Sequence, residues 1–87
     1  MRRVFRVAVV EPSMIIGERM RSLFAGSEYE VVYVAESMRG LVEHLSQLSV
    51  DVVVVSSQVA SSMSQGVRYQ FPELQGYGVG TFVFNCV

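Results

Sequence analysis

The sequence predicts an α/β domain built on a parallel sheet, and two observations carry that expectation. The first is Val50-Asp51-Val52-Val53-Val54-Val55-Ser56-Ser57, where a run of β-branched side chains stands between an acid and two hydroxyls. Such side chains lose little when extended and much when helical, so the run is a strand. Being apolar on both faces, it belongs in the centre of a parallel sheet with both faces covered. The second is the order of hydrophobic periods, strand, helix, strand, helix, strand, which requires right-handed crossovers between parallel strands. Ligands gather outside the carboxyl ends of the strands in such sheets, which directs attention to Ser56 and Ser57.

Val4 to Val10 reads as the first strand, stopped by Pro12, which has no N–H to give a ladder. From Ser13 the apolar residues Ile16, Met20, Leu23 and Phe24 fall at i, i+4, i+7 and i+8, the core stripe of a helix. Ser13 is its N-cap and Ala25-Gly26-Ser27 its stop. Tyr29 to Ala35 is strand-like. Ser37 then caps a second helix whose apolar residues Met38, Leu41, Val42, Leu45 and Leu48 recur at helical spacing. Gly40 weakens that helix by about 1 kcal/mol relative to alanine. After the valine strand, residues 58–70 carry only a weak helical stripe in Val59, Met63 and Val67, and read as a loop leading into a poor helix. Pro72 ends that segment, and Tyr77 to Val87 reads as a fourth strand.

The 87 residues hold one domain, and at that size folding buries only about 60–65% of the chain's surface, so good packing or a partner is needed. Hydrophobic residues make up 51%, charged residues 17%, and the net charge is −1, which excludes a disordered chain and gives no bulk attraction to nucleic acid. Arg2, Arg3 and Arg6 form a basic cluster too small to bind nucleic acid alone. The seven basic residues are all arginine. Cys86, the single cysteine, excludes an internal disulfide and a cysteine-based zinc site, and in its apolar tail reads as inert. The apolar stretch Val7 to Val10 is shorter than the roughly 7–15 residues of a signal-peptide core, and no apolar run nears the roughly 20 that cross a bilayer. The expectation is a soluble, cytoplasmic protein with no membrane or nucleic-acid partner.

On these elements the chain resembles the receiver domain of two-component response regulators. Val7-Ala8-Val9-Val10-Glu11-Pro12-Ser13 and the helix to Phe24 are similar to the family's first strand, acidic loop and first helix. Glu30 to Ala35 with Leu41-Val42-Glu43-His44-Leu45 is similar to its second strand and helix. Asp51 to Ser56 is similar to the strand that carries the phosphoacceptor aspartate. The similarity covers residues 4–60, and more loosely Phe71-Pro72-Glu73-Leu74. It implies a flavodoxin-like, three-layer fold with strand order 2-1-3-4. The domain is incomplete, because the family's remaining helix, strand and helix have no counterpart.

The resemblance also implies roles, position by position. The family's two neighbouring acids, which help hold Mg²⁺, match Glu11 and Pro12, so one carboxylate is kept and one lost. Its nucleophilic aspartate matches Ser56, whose hydroxyl needs an adjacent base that the neighbouring sequence does not offer. Its phosphate-contacting lysine has no counterpart. With two of three acids gone, Glu11 is a weak metal position and no cofactor is expected. The implied function is a phosphorelay receiver that no longer takes up phosphate, is not an enzyme, and acts by protein–protein interaction. The fourth strand would leave an exposed apolar edge, open to a protein partner or to self-association.

Two other readings compete. A small flavodoxin-like enzyme, or a nucleotide- or flavin-binding protein, would use the loops after Val10 and Ser56, but neither is glycine-rich enough to cradle phosphate on backbone N–H groups. Gly76, Gly78 and Gly80 lack the spacing and following helix of a dinucleotide loop. The chain is otherwise a fragment of a longer regulator, or is misread after Leu74. At single residues the plain roles weigh more than the chemical ones. Ser56 and Ser57 read as small polar residues ending a strand, His44 as a helix-surface residue, Asp51 as an acceptor for loop N–H groups, and Glu11 as a solvated strand-end acid.

Overall fold

The computed structural model describes residues 4–59 and 78–84; the weak helix read into the segment after Val59, Pro72 and the strand ends at 77 and 85–87 lie outside them. The elements run β1 (Phe5–Val10), α1 (Met14–Phe24), β2 (Tyr29–Ala35), α2 (Met38–Leu45), β3 (Val52–Ser56) and β4 (Gly80–Phe84). All four strands are parallel and form one sheet in the order β2-β1-β3-β4, the flavodoxin-like order read from the sequence. Residues 57–59 open a helical turn directly after β3.

β1 is central because it can afford no exposure: Val7, Ala8, Val9 and Val10 are all buried, so both of its faces are dry. Ala8 and Val10 share one face with Val53 and Val55, under Met38, Leu41 and Leu45 of α2 and Val59. Val7, Val9 and Val31 share the other, with Met20, Phe24, Val34, Val52, Val54 and Phe84 packed against them. Both helices start on the serines predicted to cap them. Ser13 Oγ accepts from the Ile16 N–H at 3.4 Å, and Ser37 Oγ accepts from the Gly40 N–H at 3.1 Å. The chain leaves α1 through Gly26, whose φ of +83° favours glycine.

Four expectations need correction. Leu23, placed in the core stripe of α1, is 79% exposed. The helix instead rests on Gly17, the buried residue of α1, where an added Cβ would run into Val34 Cγ1. Gly17, Met20 and Phe24 follow one line at spacings of three and four, and a helix turned to seat that line carries Leu23 outward. The second helix ends at Leu45, leaving Leu48 in the turn that follows. The valine strand begins at Val52 and is not covered equally on its two faces. Val53 and Val55 are buried, whereas Val52 and Val54 are half-buried, because α1 packs on β2 and leaves this side of β3 and β4 partly open. Among the described residues the fourth strand begins at Gly80, with Gly78 and Val79 of the expected strand lying in the turn before it. No helix among the described residues is long and apolar enough to cross a membrane.

Candidate functional site at the carboxyl end of the sheet

Pairing of Val10 with Val55 makes Glu11 and Ser56 the next residues along the two central strands. Side chains alternate along a strand, so both continue the face of Val9 and Val54, toward α1. Glu11 and Ser56 therefore stand side by side at the carboxyl end of the sheet, the end at which this topology gathers ligands.

Glu11 is not a solvated acid: it is only 1% exposed. Its backbone N–H donates to the Ala35 carbonyl at 2.8 Å, which extends the β1–β2 ladder by one residue and holds the side chain inside the sheet end. Glu11 Oε2 accepts from the Ser13 N–H at 2.6 Å. Glu11 Oε1 is buried with no hydrogen-bond partner among the described residues. An unpartnered oxygen on a buried carboxylate is costly, and among the described residues Glu11 Oε1 is the buried side-chain acceptor left unfilled. Pro12 beside it is exposed and brings no carboxylate.

Ser56 is fully buried, and its Oγ accepts from the Gln58 N–H at 3.3 Å. That bond makes it the cap of the helical turn opening at Ser57, a structural use of the hydroxyl. No base among the described residues bonds to it. His44 lies elsewhere, on the exposed side of α2 as expected, with Nδ1 3.0 Å from the Gly40 carbonyl and 3.2 Å from the Tyr33 hydroxyl. Asp51 also lies elsewhere, at the opposite end of β3. Its carboxylate accepts from the Arg6 N–H within β1, at 2.9 Å, while its own N–H donates to the Arg6 carbonyl at 2.8 Å.

The donors present do not fit a firmly held Mg²⁺. One oxygen of Glu11 and a neutral serine hydroxyl fall short of the carboxylate set that ion takes, and no group of three His, Cys, Asp or Glu among the described residues is placed to hold a metal. Phosphate fits no better. The N–H of Ser13, the N-cap of α1, already binds the Glu11 carboxylate, so an anion approaching there meets a negative charge. No family model matches the chain, and neither a curated protein nor a solved structure is significantly similar to it.

Proposed function

We propose that this chain is a receiver-like domain of two-component signalling that does not take up phosphate and works by protein–protein contact. The observation that carries the reading is the pair Glu11 and Ser56. In a parallel sheet of order 2-1-3-4, one buried carboxylate with an unfilled oxygen is kept at the end of β1, and a serine committed to capping stands at the end of β3. The layout supports descent from a phosphoryl-transfer site, and the residues support its loss: no second acid at Pro12, no carboxylate at Ser56, and no lysine in the chain. Electrophilic phosphorus needs an activated nucleophile, and a capped serine without a base is a weak one. Signalling through such a domain therefore rests on which surface it presents.

The test is incubation with a small-molecule phosphodonor and Mg²⁺, followed by intact-mass and peptide-mass measurement. No incorporation is expected, with or without the metal. Phosphate on Ser56 that requires Mg²⁺ would overturn the reading.

A further inference from the structure

We propose that β4 is the docking edge for a second copy of this chain, pairing antiparallel about a two-fold axis through Phe82. The inference names the partner in the contact role proposed above, and it rests on that reading for its place in signalling.

The strand and its register carry the argument. β4 pairs with β3 and has no neighbour on its other side among the described residues. Its Gly80 N–H donates to the Asp51 carbonyl at 3.0 Å, so the backbone groups of Gly80, Phe82 and Phe84 turn toward β3. Backbone groups alternate along a strand, which leaves the N–H and C=O of Thr81 and Val83 on the open edge. A two-fold axis through the central Phe82 sets Thr81 of one copy opposite Val83 of the other. These are the residues with free donors and acceptors, and each such pair exchanges two hydrogen bonds. No other centre within the strand pairs all five residues.

The side chains agree with the same register. Phe82 is 63% exposed and becomes a non-hydrogen-bonded pair with its own copy, the pairing that brings side chains closest. Phe84 of each copy falls opposite Gly80 of the other, a ring over a residue with no side chain. Both contacts lie on the face of Val52 and Val54, which α1 leaves half-open. The occupant is a second copy rather than a charged partner because Gly80–Phe84 holds no charge, so a two-fold contact opposes no like charges. The strand also lacks the lysine, proline or bulge with which edges avoid pairing. The other edge, β2, carries an exposed Glu30 in an ion pair with Arg6 at 3.9 Å, the kind of edge charge that discourages pairing. A five-residue ladder is smaller than the roughly 1,000 Å² of a stable interface, so the dimer is reversible and depends on concentration.

The test is the mass in solution across a concentration series, by light scattering after size exclusion. The wild type is expected to rise from 9.7 kDa toward twice that value. Phe82→Glu, which sets two charges against each other, and Val83→Pro, which removes an outward N–H, are expected to stay monomeric with an unchanged circular dichroism spectrum. Where a variant fails to fold, a cross-link decides. In a Cys86→Ser background, Phe82→Cys is expected to form a disulfide-linked dimer under mild oxidation, and Leu23→Cys, exposed on α1, is not. A wild type that is monomeric throughout, a dimer indifferent to both β4 variants, or equal cross-linking at both positions would overturn the proposal. Phosphate on Ser56 would sink the contact-only reading and leave this dimer standing.

Discussion

At the residue scale the account turns on a distinction between a hydroxyl that reacts and one that caps. Ser56 Oγ is used by the Gln58 N–H, and capping serines are worth about 1 kcal/mol relative to alanine. Ser56→Ala is therefore expected to lower stability by about that amount in urea denaturation, and Ser56→Asp, which buries a second carboxylate on the face of Glu11, to lower it further. A smaller loss with aspartate than with alanine would show that the site still accommodates the carboxylate. Glu11 explains why sequence reasoning stopped short here. An acid after a strand and before a proline looks solvated, and nothing local shows that Ala35, distant in sequence, will take its N–H and draw it inside. The bond from the Arg6 N–H to Asp51 is hidden for the same reason, since Arg6 lies 45 residues away.

Elements that carry their own periodicity were the legible ones. The caps at Ser13 and Ser37, the β-branched run of β3 and the period change after Pro12 specify helices and strands within a few residues of their bounds. What the pattern could not supply was the rotation of α1, because that depends on which residue of the helix fits against Val34 of β2. Gly17 permits the close approach, and a residue without a side chain leaves no mark in a hydrophobic stripe. Gly17→Ala is expected to destabilise the fold by about 1–3 kcal/mol through overpacking, against the roughly 1 kcal/mol that alanine gains in helix propensity. Val34→Ala in the same chain should return part of the loss. Additive costs in the double variant, measured by denaturant midpoint, would mean that the two residues do not meet.

For the whole molecule, the sheet order followed from element order and connection handedness, whereas the unevenness of its coverage did not. Among the described residues, α2 and the turn after β3 cover one face over β1 and β3, and α1 covers the other over β1 and β2. The half-buried Val52 and Val54 and the exposed Phe82 record that gap. A dimer that stabilises the folded chain makes the thermal midpoint rise with protein concentration, and Phe82→Glu should abolish that rise. A midpoint equally sensitive to concentration in wild type and variant would place the association elsewhere.

The central claim is that the crevice between Glu11 and Ser56 keeps the layout of a phosphoryl-transfer site without its chemistry. The most direct measurement is an amide NMR titration with Mg²⁺ and a beryllofluoride phosphoryl mimic, read at Glu11, Ser13, Ser56 and Gln58. The account predicts that these resonances do not move, even where concentration-dependent shifts at Thr81 to Val83 report dimer formation. Saturable shifts at Glu11 and Ser56 that need both the metal and the mimic would contradict it, and would return the chain to the class of working phosphoacceptors.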